Sequence, residues 1–150
     1  MPNTVSMSVQ DALWLTMDRP NNLMVVDGAM VLTQPVTLDE VRDVYLDGLS
    51  RFPVFQRKAV PAGIGWAWQD DADFSIDRHL SEVALAPPAD IHTLQQFLAD
   101  QRTVPLPRDR PLWQAFLIPE VTLTDGTVGS AIVSRFHHAI ADGVRLTQVM

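Results

Sequence analysis

The chain has 150 residues, 47% of them hydrophobic and 19% charged, which is enough apolar material for one packed domain and excludes a disordered chain. A net charge of −7, with 11 Lys and Arg against 18 Asp and Glu, excludes the clustered basic surface that nucleic acid or an anionic membrane requires. The absence of cysteine excludes disulfides, thiolate catalysis and Cys-type zinc sites, and leaves four histidines as candidate bases: His79, His92, His137 and His138.

Residues 1–10 hold neither a basic n-region nor a long apolar h-region, so no signal peptide is expected. No stretch approaches the ~20 apolar residues of a spanning helix. Ser8 is placed to cap a short helix through Met17, with Asp11 in its first turn where a negative charge suits the helix dipole. Asp18-Arg19-Pro20-Asn21-Asn22 is a turn cluster. Residues 23–32 read as a strand, nearly continuous in apolar residues, as in a strand covered on both faces. Gly28 within it suggests a bulge or a close backbone approach.

Thr37-Leu38-Asp39-Glu40 is a capping box. The helix that follows carries Leu38, Val41, Val44, Tyr45 and Leu49 at helical spacing and ends near Arg51-Phe52-Pro53. Residues 54–60 and 64–69 read as two strands of a hairpin joined through Pro61-Ala62-Gly63, followed by an acidic surface turn at Asp70-Asp71-Ala72-Asp73. Residues 74–83 are irregular or extended and carry His79, which is expected at the surface or behind a site, as is His92. Pro87-Pro88-Ala89-Asp90 stops one element and caps a helix over 91–102. Residues 103–111 form a stiff Pro- and Arg-rich loop, delivering the chain into a strand over 112–118. Thr124-Asp125-Gly126-Thr127 suits a type I′ hairpin turn, and residues 128–136 are the return strand. Interleaved strands and helices with a hairpin make an α+β fold with a mixed sheet.

The return strand runs into His137-His138-Ala139-Ile140-Ala141-Asp142-Gly143, with a helix starting at Asp142. A histidine at the C-terminal end of a buried strand is either a satisfied structural residue or a base at a ligand site, and an imidazole with a pKa of ~6.5 suits proton transfer near neutrality. The second His, the Asp and the Gly favour the site. His137 and His138 alternate faces in a strand, and His138 with Asp142 lacks the third protein ligand a zinc site needs. No G-x-S-x-G elbow is present for a serine hydrolase, and Ser134 reads as a packed hydroxyl.

This stretch resembles the HHxxxDG motif of the CoA-dependent acyltransferase superfamily, which includes chloramphenicol acetyltransferase-like enzymes and peptide-synthetase condensation domains. With Ser8-Val9-Gln10-Asp11-Ala12 and Arg110-Pro111-Leu112-Trp113, the chain looks like the N-terminal portion of the bacterial wax ester synthase/diacylglycerol acyltransferase family. The resemblance implies the N-terminal half of a chloramphenicol acetyltransferase-like fold, a single domain over 1–150 whose partner domain lies beyond it, and an active-site channel between the two. It implies O-acyl transfer from acyl-CoA, a co-substrate, to diacylglycerol or a long-chain alcohol, without metal, cofactor or covalent intermediate. His138 would be the base, His137 a packing neighbour, and Asp142 a brace for the loop, with Arg135 and Arg145 near it in sequence. Gly143 would leave room for substrate, and Pro111, Leu112 and Trp113 would line the acyl-CoA side. Trp14, Trp66, Trp68 and Trp113 read as core rather than a lipid groove. A cytoplasmic protein is expected, making at most peripheral contact with the inner membrane face or a lipid droplet. Two other readings stand: an inactive fragment or interaction module, and condensation-type transfer to an amine.

Overall fold

In the computed structural model, residues 2–140 are described. A three-stranded antiparallel sheet has the order β1-β4-β3, from β1 (Thr4–Ser6), β3 (Arg57–Ala62) and β4 (Gly65–Asp70). A four-stranded mixed sheet has the order β2-β7-β6-β5, from β2 (Val25–Leu32), β5 (Leu80–Glu82), β6 (Trp113–Thr122) and β7 (Val128–His137). All pairs are antiparallel except β5 with β6. The helices are α1 (Val9–Met17), α2 (Leu38–Arg51) and α3 (Ile91–Gln101). The α+β class and the mixed sheet agree with the sequence.

Caps start the helices where the sequence places them. Ser8 accepts the Asp11 amide at α1, and Thr37 and Glu40 close the reciprocal box at α2. Asp90 and Thr93 do the same at α3. Each such cap is worth roughly 0.5–2 kcal/mol.

The central strands β6 and β7 divide their side chains between two cores, as a two-residue repeat requires. Trp113, Ala115, Leu117 and Phe136 join Val41 and Leu49 of α2 on one face. Phe116, Ile118, Ala131 and Val133 join Leu94 of α3 on the other. Leu117 and Ile118 are fully buried on opposite faces, and each contributes about 1.5–3 kcal/mol by removal from water.

Several expectations are corrected. The run covered on both faces is β6, not β2. β2 lies at the sheet edge with Met30 and Val31 exposed. Gly28 pairs in unbroken register with Ser134, and a Cβ there would meet nothing within 4 Å. The close approach is instead at Gly129, where a Cβ would collide with the Leu32 carbonyl. Val44 is exposed rather than packed, because α2 turns it past the rim of the sheet. Pro53–Gln56 is a 3-10 turn, so the strand after it starts only at Arg57, and the hairpin turns at Gly63 and Ile64, with Gly63 at φ 59°. Asp71 is buried, not a surface residue, between Lys58 at 3.8 Å and Arg78 at 3.7 Å. The hairpin at 124–127 holds, but only Gly126 has positive φ, at 85°. The Gly126 amide donates to the Leu123 carbonyl and the Leu123 amide to the Thr127 carbonyl, so the turn is a three-residue loop with a glycine bulge, not type I′.

Gly129→Ala is expected to destabilise the protein by about 1–3 kcal/mol, because backbone rather than a flexible side chain must give way. Chemical denaturation of the two proteins measures it, and equal midpoints would refute the collision.

Candidate active site

β7 delivers the histidine pair, and its neighbours hold the delivery fixed. The His137 amide donates to the Leu112 carbonyl at 3.0 Å, on the β6 side. The His138 amide donates to the Met24 carbonyl at 2.8 Å, on the β2 side. Consecutive amides bonded to opposite neighbours keep the chain extended, so the two imidazoles leave on opposite faces. The chain then turns, with the Ile140 amide donating to the His137 carbonyl at 3.0 Å.

His137 is sealed. Its Nδ1 accepts the Ala139 amide at 3.0 Å, so the ring proton resides on Nε2. Nε2 faces Asp18 Oδ2 at 3.5 Å without closing a hydrogen bond. Burial drives the pKa down from 6.5 to about 4; Asp18 opposes this and the Arg108 guanidinium adds to it. His137 is therefore neutral near pH 7.

His138 is half-buried. Its ring stacks on Trp14 of α1, centroids 4.7 Å apart and planes 25° apart. Among the described residues neither of its ring nitrogens has a hydrogen-bond partner, and Trp14 Nε1 is buried without an acceptor. One face of the imidazole is thus covered by the indole.

Asp18, at the C-terminal cap of α1, ties these parts together. Its Oδ1 accepts the Met24 amide at 2.8 Å, fixing the residue whose carbonyl holds His138. Its Oδ2 accepts from Arg108 at 2.8 Å. In the sequence Asp18 reads only as part of a turn cluster. The available signal was an acidic side chain at a helix C-terminus, where the dipole disfavours negative charge.

The other candidates divide. Asp142, Gly143 and Arg145 lie outside the described residues. Arg135 is fully buried and donates to Asp27 at 2.8 Å, Gln114 at 3.4 Å and the Val104 carbonyl at 2.6 Å. Pro111 and Leu112 are buried, and Leu112 serves through its carbonyl. Trp113 is buried with its indole N–H on the Phe55 carbonyl at 2.9 Å, and one side of its ring system borders a cavity between α2 and the sheet. Ser134, as expected, is a packed hydroxyl, 2.8 Å from the Tyr45 hydroxyl. His79 corrects its expectation. It is a core residue stacked on Trp113 at 4.6 Å, its Nδ1 donating to the Trp113 carbonyl at 2.8 Å, and burial lowers its pKa. The irregular segment around it hid this, because β5 pairs with β6 across a long sequence separation. His92 is exposed.

The family model for the wax ester synthase/diacylglycerol acyltransferase catalytic domain matches residues 7–150. A putative diacylglycerol O-acyltransferase of Mycobacterium tuberculosis (strain ATCC 25618 / H37Rv) is 29% identical over 157 residues, covering 96% of this chain and 29% of the relative. A probable diacylglycerol O-acyltransferase of the same strain is 35% identical over 85 residues, covering 55% of this chain and 17% of the relative. Among solved structures, the wax ester synthase/diacylglycerol acyltransferase from Marinobacter aquaeolei VT8 superposes with a TM-score of 0.76 at 22% identity, over 96% of this chain and 35% of that one. The starter condensation domain of rhizomide synthetase superposes with a TM-score of 0.74 at 14% identity, over 98% of this chain and 36% of that one. These two likenesses concern the fold. The chain thus spans about three-tenths of the length of its first relatives, 29%.

Two outcomes are expected. Because the His137 pKa is lowered on folding, the unfolded state binds more protons between pH 6.5 and about 4, and stability falls as pH drops through that window. His137→Asn retains an acceptor for the Ala139 amide and flattens that slope; unfolding midpoints at several pH values measure it, with the contribution of His79, whose pKa is also lowered, remaining. Asp18→Ala leaves the Met24 amide without its acceptor and lowers stability by about 1–3 kcal/mol, read by chemical denaturation.

Proposed function

This chain belongs to the wax ester synthase/diacylglycerol acyltransferase family, and from that premise we propose that it carries the base of an O-acyltransferase. The donor is a fatty acyl-CoA and the acceptor is diacylglycerol or a long-chain alcohol. The observation that carries the reading is the division of labour between the histidines: His137 is neutral and sealed, while His138 is braced on one face with its nitrogens unengaged among the described residues.

The chemistry follows from that division. A nitrogen of His138 takes the proton of the acceptor hydroxyl as its oxygen attacks the thioester carbonyl. The tetrahedral intermediate collapses, the C–S bond breaks, and the proton passes from His138 to the departing CoA sulfur. Ester and thiol leave, the imidazole is neutral again, and no covalent enzyme intermediate or metal enters. Asp18 acts through Met24 to hold the His138 backbone, so it is a positioning residue. Asp142 and Gly143 take their roles from the family motif, the first bracing the loop and the second leaving space beside the base. A partner domain of the full-length protein supplies the opposite wall of the channel.

Lipid substrates bring the protein to a membrane or lipid-droplet surface by peripheral contact, at the cytoplasmic face where acyl-CoA is available. Among the described residues no helix is long and apolar enough to cross a membrane.

In the full-length protein, His138→Ala is expected to lower turnover of acyl-CoA with an alcohol or diacylglycerol by ~10²–10⁴-fold with the circular dichroism spectrum unchanged. His137→Asn is expected to retain much more of the rate than His138→Ala. Near wild-type turnover in His138→Ala would overturn the assignment of the base.

A further inference from the structure

Between α2 and the β2–β7 edge of the large sheet lies a cavity of about 340 Å³, in the range of small-molecule sites. Met30, Val44, Leu49, Ile132 and Phe136 give it apolar walls. Its one hydroxyl pair, Tyr45 and Ser134, satisfies itself at 2.8 Å. Asp27 joins the lining, but its side chain alternates to the other face of the sheet, where Arg135 holds the carboxylate. The space opens at the sheet edge, where Gly28, Met30 and Val44 are exposed, and closes inward on Leu49 and Phe136.

Two glycines keep it open. Gly28 stands on the β2 wall and Gly48 on the α2 wall. Neither has the positive φ that requires glycine, and a Cβ on either would meet nothing within 4 Å. Glycine in the interior of a strand or a helix weakens the element, so both positions lack a backbone reason. Gly28 pairs with Ser134 in the register that sets Val26 against Phe136 and Met30 against Ile132, and all six line the cavity. A side chain at either glycine would therefore take up its volume.

We propose that this cavity holds the hydrocarbon chain of the acyl donor, and that Gly28 and Gly48 set the chain length it accepts. The cavity follows β7 from Ile132 to Phe136, ~13 Å of strand. The next residue on that side of the strand is His138. A chain lying along β7 points its thioester end toward the candidate base. The cavity suits one chain rather than two, and the donor is the single-chain substrate common to both acceptor classes. The assignment to the donor rests on the reading of His138 as the base; the size argument does not.

The test measures binding of butanoyl-CoA and hexadecanoyl-CoA to the full-length protein by calorimetry, with the Gly48→Leu, Gly28→Val and Gly48→Ala variants. Gly48→Leu and Gly28→Val are expected to weaken hexadecanoyl-CoA relative to butanoyl-CoA by about ten-fold or more. Gly48→Ala is expected to melt higher than the wild type, because a helical glycine is replaced where there is room. An unchanged ratio in the folded Leu and Val variants would overturn the proposal. Weakening of hexadecanol binding in place of hexadecanoyl-CoA would overturn the donor assignment. His138→Ala serves as the control: it should bind hexadecanoyl-CoA like the wild type, so loss of turnover there with an unchanged chain-length ratio in the glycine variants would refute the cavity and leave the base standing.

Discussion

The candidate site depends on the extended geometry of β7 persisting through its last residue and one beyond. At His137 the amide reaches toward β6, and at His138 it reaches toward β2. That alternation forces successive side chains to opposite faces. Two chemically identical rings therefore enter different media. One is enclosed with a carboxylate and a guanidinium that act in opposite directions, and burial, the largest effect, settles its charge. The other lies against an indole at the rim. Without the two strand-type hydrogen bonds, the pair would have no fixed division of roles.

The two faces of β7 are covered by different materials. On the face of His137, α3 covers Ala131 and Val133, and the loop over 103–111 takes over beyond them. The Val104 carbonyl receives Arg135, Leu106 is buried, and Arg108 reaches Asp18. A proline-rich loop serves here as a rigid plate with outward charge and inward carbonyls. The Asp27–Arg135 pair lies across the β2–β7 register beneath it. Removing one member would leave a buried charge uncompensated, so the pair favours this register over a slipped one.

The opposite face is less completely packed. Toward β6, Trp113 is enclosed by Tyr45, Phe55 and His79 in stacked and edge contacts. Toward β2, the same face thins into the cavity, because the helix presents Gly48 and the strand presents Gly28. A single layer thus has a rigid aromatic half and an open half.

Much of this was legible in order along the chain. Three helix caps, the presence of two hairpins and the stiff loop follow from local chemistry: short polar side chains at helix starts, glycine at positive φ, proline in loops. The misreadings of burial share one cause. Residues 23–32 and residues 112–118 are both apolar runs, yet one is an edge strand and the other is central, because strand order is set by partners remote in sequence. His79 and Asp71 are polar residues in irregular segments, and they are buried because β5 docks parallel to β6 and because Lys58 and Arg78 converge on Asp71. The motif residues alone establish that two histidines end a strand and must face opposite ways. Which of them is dry is set by Asp18, Trp14 and Arg108, drawn from elements up to 124 positions away from His138 (138 − 14). Solvent access and charge belong to the covering layers rather than to the strand that carries the residue.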